Sequence, residues 1–206
     1  MNSGLLVMPG TYRVSVSKSI NGKLTRLVGP VEFKAKALRN TTLPAKDRAA
    51  LVKFQRKVAE LSRVLQGTLN FTSELNKKIA KIKQTIFASP GSVDRLMPAT
   101  RKVEAQLDKI IFQLRGHRAK ASREEIPPTH PPLNSRLRSI IWAQYRSTSA
   151  PTQIQIDSYK IIKEELNPIL KQLKKIALEE IRNIEKELEK EGAPWTPGRI
   201  PEWRNL

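Results

Sequence analysis

Two histidines and two adjacent carboxylates are the side chains of this sequence best suited to chemistry. His117 sits among basic residues and His130 among prolines in the stretch "GHRAKASREEIPPTHPP". A zinc-type centre needs three or four converging His, Cys, Asp or Glu ligands. Neither imidazole has a carboxylate or second histidine at ligand spacing, and the chain contains no cysteine. Glu124 and Glu125 would act as an acid and base pair only if a pocket raised the pKa of one of them. Side by side, with Arg123 adjacent and Arg115 nearby, they read as solvated, ion-paired carboxylates. The glycines are scattered singly, at Gly4, Gly10, Gly22, Gly29 and Gly67, so no phosphate cradle or nucleophile elbow is present. The residues predict no catalytic group, no metal and no cofactor, and the chain is not expected to be an enzyme.

Charge and aromatic residues remain to be weighed. The 206 residues carry 38 Lys+Arg against 19 Asp+Glu, a formal net charge of +19. Residues 150–206 hold 10 basic and 10 acidic side chains, so residues 1–149 hold the other 28 basic and 9 acidic ones and the whole excess. Such an asymmetry attracts nucleic acid, acidic polysaccharide or a membrane surface. The polyanion contacts would be Lys77, Lys78, Lys81 and Lys83 with Arg115, Arg118, Lys120 and Arg123. The competing reading is solvated lysine faces, because no aromatic residues are interleaved with these cations as single-strand binders require. Trp142, Trp195 and Trp203 could stack on a sugar, but amphipathic packing anchors are the commoner use of such residues.

The elements that must position these groups are read from periodicity. Residues 1–40 read as β: "TYRVSVSK" alternates with Tyr12, Val14 and Val16 on one face, and Asn21-Gly22 is a hairpin signal. "KLTRLV" returns, Gly29-Pro30 is expected to break it, and "VEFKAKAL" puts Val31, Phe33, Ala35 and Ala37 on one side. Two or three strands with one apolar face need a cover, so this sheet reads as the closing part of a β-sandwich whose other strands lie elsewhere. The alternative is a small sheet capping the helices.

Residues 41–191 read as a helical bundle. Thr42 is the expected first N-cap, leading into a seam at Leu51, Phe54, Val58, Leu61, Leu65, Thr68, Thr72, Leu75, Ile79, Ile82 and Ile86. The polar stretch "QGTLNFT" around Gly67 predicts a kink or a close approach by a neighbour. Ser89-Pro90-Gly91-Ser92 separates a second seam at Val93, Leu96, Thr100, Val103, Leu107, Ile110 and Leu114, which Gly116 stops. A short third helix places Leu133, Leu137, Ile140, Ile141 and Trp142 on one side. Ser149 is the expected N-cap of the last helix, whose seam runs Tyr159, Ile162, Leu166, Ile169, Leu173 and Ile176. It then slips by one residue to Ala177, Ile181, Ile184 and Leu188, and Pro168 is expected to bend this helix. The second and third helices laid end to end would match the long first and last ones. The fold class is therefore mainly α: an elongated antiparallel bundle of three to four helices preceded by a small antiparallel sheet of two or three strands. No run of apolar residues is long enough to span a bilayer. The start of the sequence lacks a basic region and has its apolar run broken by Pro9 and Gly10, unlike a signal peptide.

The tail, residues 192–206, closes the chain with "GAPWTPGRIPEW". Gly192 is a natural helix stop, and Pro194, Pro197 and Pro201 stiffen the segment behind it, so docking it costs less chain entropy. Trp195 and Trp203 would each contribute about 2–3 kcal/mol if fully covered. A strap packed on the bundle or on a neighbouring domain is the expectation.

This tail, together with "PGTYRVSV", "LVGPVEFKAKAL", "REEIPPTHPPLNSRLRSII" and "SAPTQIQIDSY", resembles the C-terminal end of sortilin/BNR-type β-propeller proteins. Those are glycosyl-hydrolase-like proteins of Bacteroidetes and related bacteria. The resemblance covers essentially the whole chain but only the far end of such a protein. It implies that residues 1–40 belong to an Ig-like sandwich standing behind a propeller, and that any hydrolytic residues sit on that propeller. It carries no catalytic residue over to this chain. It implies a β-propeller or Ig-like domain of the same parent as partner, and an exported parent; the oligomeric state is left open.

Overall fold

The computed structural model describes residues 7–38, 43–116, 129–145 and 147–201. Where the sequence alternates with period two, two strands form: β1 (Gly10–Ile20) and β2 (Lys23–Ala35), paired antiparallel. Asn21 and Gly22 join them with φ of 49° and 78°, the two positive dihedrals that a type I′ turn demands. The expected break at Gly29-Pro30 does not occur. β2 passes through this cis peptide as one strand, and the ladder shifts register between Val14 and Val16 and again between Val16 and Ser17. Bulges absorb the extra residues there, and a bulge tolerates a proline that has no N–H to give the ladder. Gly29 is required at this point: its φ is 99°, and an added Cβ would lie 2.6 Å from the Val14 carbonyl oxygen.

The register places Tyr12 opposite Phe33, Val14 opposite Val31 and Val16 opposite Val28. The two apolar sets seen in the sequence thus share one face. Tyr12 and Phe33 stack at 5.9 Å, and on the other face Arg13 pairs with Glu32 at 3.0 Å.

From Arg48 the period becomes helical. α1 (Arg48–Phe87) is an unbroken helix of 40 residues. Its N-cap is Asp47, whose carboxylate accepts a hydrogen bond from the Ala50 N–H at 2.9 Å; Thr42 lies outside the described residues. The expected seam is buried apart from Phe54, which is half-buried, and Gln55 and Leu69 join it. The polar middle of the seam is satisfied by the helix itself. The Thr68 hydroxyl donates to the Val64 carbonyl at 2.8 Å and that of Thr72 to Leu69 at 2.9 Å. No atom approaches within 4 Å of a Cβ built on Gly67, so the predicted close approach is absent there among the described residues.

After a single 3-10 turn, α2 (Val93–Arg115) runs back and ends at Gly116, with φ of 79°. α3 (Leu133–Tyr145) buries Leu133, Leu137 and Ile140, with Gln144 next in the same stripe. Trp142 departs from the expected apolar side: two residues beyond Ile140 is about 200° around a helix, and the indole is 48% exposed.

The last helical run comprises α4 (Gln153–Lys175), a π-helical turn (Ile176–Glu180) and α5 (Ile181–Lys190). Thr152, not Ser149, caps it: Thr152 and Gln155 form a reciprocal capping box. The Ser149 hydroxyl donates instead to the Leu43 carbonyl, and Ala45 N–H donates to the Thr148 carbonyl at 3.2 Å. These two bonds tie the lead-in of α1 to the α3–α4 connection. α4 continues through Pro168. The one-residue slip in the seam is the π turn itself. Ile176 and Ile181 are both buried although five residues apart, because one widened turn holds the extra residue and keeps both on the core face.

Contacts along the rod fix the helix directions. Phe54 meets Tyr159 edge to face at 5.7 Å and Lys78 meets Glu185, so α1 and the α4–α5 run are parallel. Lys83 on α1 pairs with Glu104 on α2, and Arg95 on α2 with Glu187 on α5, so α2 is antiparallel to both. α3 continues α2 end to end as one rod, between Gly116 near Pro132 and the Leu43–Ser149 tie. One apolar cluster runs through all the helices, from Val58 on α1 to Leu188 on α5. The protein is a mainly α bundle of three mutually packed rods, α1, α2–α3 and α4–α5, about 60 Å long at 1.5 Å per residue, preceded by a two-stranded sheet.

Candidate functional site

Of the side chains singled out for chemistry, His117, Glu124 and Glu125 lie outside the described residues, and His130 is exposed. Among the described residues no three His, Cys, Asp or Glu side chains gather as a metal site. Among the described residues, too, no helix is long and apolar enough to cross a membrane.

The cationic run on α1 divides in two. Lys78 turns inward and pairs at 2.9 Å with Glu185, whose side chain is 2% exposed. The Thr196 hydroxyl donates to the same Glu185 oxygen at 2.6 Å. Lys83 reaches both oxygens of Glu104, at 2.9 and 3.0 Å. These two lysines staple helices together, and their charges are matched by carboxylates. Lys77 and Lys81 remain exposed, with Lys81 donating to Gln84 at 3.1 Å. The Arg115 guanidinium donates to the Leu69 carbonyl at 3.4 Å, while Arg118, Lys120 and Arg123 lie outside the described residues. The eight cations expected to act together therefore do not form one free anionic-ligand face among the described residues.

The tail is held differently from expectation. Gly192, with φ of 71°, sends its N–H to the Glu189 carbonyl at 3.1 Å, and Ala193 sends its own to Leu188 at 3.0 Å. This is a Schellman closure, with its apolar contact supplied by buried Ala193 and Leu188. Thr196 is buried against Glu185, and Arg199 pairs with Glu189 while lying 5.6 Å from the centre of the Trp195 ring. Pro194, Pro197 and Pro201 are exposed and Trp195 is 38% exposed; Trp203 lies outside the described residues. Among its described residues, small and polar side chains hold this strap while Trp195 stays exposed, because the end of α5 offers it a carboxylate and a cap. Deleting residues 192–206 removes the cap, the Thr196 bond and the Arg199 pair. A loss of about 2 kcal/mol is expected, which for a domain of this size lowers Tm by about 4–8 °C. Thermal melts monitored by circular dichroism check it, and an unchanged Tm would show that the strap is idle.

Two exposed ion-paired sites on the helices have shifted titration. The Arg63 side-chain hydrogen bonds, at 2.9 and 2.5 Å, hold the Glu60 carboxyl below its ordinary range and raise Arg63 in turn. Lys190, at 2.7 Å, does the same for Glu187, with Arg95 assisting. These are ion pairs on a rod and not the converging, desolvated groups of a reaction centre. A hollow of about 520 Å³ beside the π turn does gather Lys78, Glu185, Arg182 and Arg199. Its buried carboxylate is already held by Lys78 and Thr196.

Two surfaces leave apolar side chains open to solvent. The first is the hairpin: no residue of either strand is buried, and each strand's extensive packing is with the other. On its apolar face Val14, Val16, Val28, Val31 and Phe33 are 48–59% exposed. The second is a groove of about 930 Å³ between the N-terminal half of α1 and the middle of α4 from Tyr159 to Leu170. Its apolar lining is Val52, Leu61, Val64, Leu166 and Leu170, with Tyr159 and Met8. Lys53, Arg56, Lys57 and Lys163 also line it, and none of them pairs with a carboxylate among the described residues. The periodicity did not single out this groove, although Val52 and Val64, each one residue away from a seam position, widen the apolar stripe there. No protein-family model matches the sequence, and neither curated proteins nor solved structures give a match to it.

Proposed function

We propose that this chain is a non-catalytic structural and interaction module, the C-terminal part of a sortilin/BNR-type β-propeller, glycosyl-hydrolase-like protein. In this reading the hairpin lays its apolar face on an Ig-like β domain of the same parent, and the helical rod is the scaffold behind it. Any hydrolytic residues belong to the propeller. One observation carries the reading: Tyr12, Val14 and Val16 on β1 and Val28, Val31 and Phe33 on β2 form a single apolar face that none of the described residues buries, backed by a polar face with Arg13, Glu32, Ser17 and Arg26. One face apolar and one polar is how an antiparallel sheet of a sandwich is built. A lone two-stranded hairpin is marginal in water, and a covering β domain would remedy that.

Amide hydrogen exchange tests it. In the chain alone, the amides of Gly10–Ala35 are expected to exchange far faster than those of α1. When the Ig-like domain of the parent is supplied, they should slow by about a hundredfold or more. Hairpin amides as protected as those of α1 in the chain alone, or no change on adding that domain, would count against the proposal. The competing reading, a nucleic-acid or polyanion binder, loses Lys78 and Lys83 to carboxylate partners. Retention on heparin at about 0.15 M salt, weakening steeply as salt rises, would restore it.

A further inference from the structure

The α1–α4 groove calls for an occupant of its own, distinct from the hairpin's. Its floor is apolar, yet the core of the bundle does not cover it. Val52, Val64, Leu170 and Tyr159 stay half-buried while Leu61 and Leu166 beneath them are sealed. A helix whose apolar stripe is wider than its own bundle needs has a further partner to meet. The two walls are parallel helices, and the α1 wall from Ala49 to Val64 is about 22 Å long. That is a trough about four helical turns long and open along its length, the shape that accepts another helix more readily than a compact small molecule.

Charge selects the kind of helix. Lys53, Arg56 and Lys57 are spaced so that they share one face of α1, and Lys163 stands on the opposite wall. Glu60, the one carboxylate among the described groove-lining residues, is engaged by Arg63. The groove thus presents unmatched positive charge above an apolar floor. A second copy of this chain would bring further positive charge to it, since the net charge is +19. We infer that the groove receives an acidic amphipathic helix from a protein partner, with apolar residues at i, i+3, i+4 and i+7 on the floor and Glu or Asp on the flank beside Lys53, Arg56 and Lys57. Met8 also lines the groove, and its carbonyl accepts from the Tyr12 hydroxyl at 2.6 Å. The bound helix would therefore lie at the root of the hairpin.

The test uses the full chain and a fluorescein-labelled helical peptide of about sixteen residues, Leu on one face and Glu on the flanks, read by anisotropy at about 0.15 M salt. A scrambled peptide of identical composition and a Lys-for-Glu version serve as controls. Micromolar binding of the Glu peptide alone is expected. The triple variant Lys53→Glu, Arg56→Glu, Lys57→Glu should weaken it about tenfold or more, because charge pairs at an interface set affinity as well as approach. An equal charge reversal on exposed positions of α2, Arg101→Glu, Lys102→Glu and Lys109→Glu, should change it less than about threefold, the residue of long-range attraction. All six positions are exposed, so both variants should keep the parental helical signal. Amide shifts at Val52, Val64 and Leu170 should mark the peptide's seat. The inference is overturned if the scrambled peptide binds equally well, if both charge reversals weaken binding alike, or if dodecanoate occupies the groove while the Glu peptide does not bind. The hairpin's exchange behaviour is measured separately, so failure here leaves the proposed role of the hairpin standing or falling by its own result.

Discussion

Replacing Lys78 with methionine is expected to destabilise the rod by about 2–3 kcal/mol, lowering Tm by about 5–10 °C, the largest effect of any single surface-accessible lysine. Glu185 is 2% exposed and has two partners, the Lys78 ammonium at 2.9 Å and the Thr196 hydroxyl. Methionine keeps the aliphatic stem and removes the charge, so the carboxylate stays buried with one neutral donor. Leaving a buried charge without its counter-ion is far costlier than never having had the pair. The figure stays below that for a sealed pair because Lys78 is itself 27% exposed and water reaches it. The double variant Lys78→Met, Glu185→Leu should recover most of the loss, since both members of the pair are then gone together. A double-mutant cycle by thermal and urea unfolding measures this, and two additive single effects would show that the pair does not couple α1 to α5.

The second large effect is on the hairpin. Gly29→Ala should abolish ordered pairing from Val16 to Val28 outward to the Asn21-Gly22 turn, while leaving the Tm of the rod within about 1 °C, because small local losses in a separate unit do not reach the bundle core. Two causes act together at this residue. An L side chain at φ of 99° is disfavoured, and its Cβ would sit 2.6 Å from the Val14 oxygen and 2.9 Å from the Ser15 Cα, both backbone atoms that cannot swing aside. A two-stranded sheet has little stability in reserve. Cross-strand NOEs between Val16 and Val28 and between Lys18 and Thr25 should disappear. Their persistence would mean that the bulge can relocate. If the hairpin binds an Ig-like domain as proposed, the same variant should also lose the slowed exchange on adding that domain, with the rod intact.

Much of this architecture was legible along the chain, and the misses have particular causes. The seams of α1, α2 and α4 came from 3-4 spacing because each helix buries one stripe against two neighbours for most of its length. Asn21-Gly22 announced its turn through the positive φ that both residues tolerate. Gly29-Pro30 was misleading: a dipeptide that usually ends a strand can also sit inside a bulge, and the choice depends on whether the opposite strand continues. Ser149 was the expected cap, and Thr152 is the one that serves. The deciding signal, Gln155 three residues after Thr152, was present in the sequence and is the second half of a capping box. The slip from Ile176 to Ile181 was likewise visible, but a run of residues alone does not say whether a helix ends, kinks or inserts a π turn.

The candidate surfaces were less legible because they depend on which faces meet. Lys77, Lys78, Lys81 and Lys83 look equivalent as a run. With Ile79 and Ile82 at the a and d positions of a heptad, however, Lys78 and Lys83 fall at g and e, where neighbouring helices exchange charge, while Lys77 and Lys81 fall at the outer f and c positions. Trp195 resembled an anchor by its size, but the end of α5 meets the strap with Glu185 and Glu189, which select Thr196 and Arg199.

By itself the sequence determined the local periods, the turn at Asn21-Gly22, the stops at Gly116 and Gly192, and the apolar stripes, all properties of residues a few positions apart. Only the tertiary structure decided which stripes were covered. It joined α2 and α3 into one rod of the bundle, turned Lys78 and Lys83 inward, and left the hairpin face and the α1–α4 groove open. Burial and charge matching are relations between segments far apart along the chain, and only the packed helices bring those segments within reach of one another.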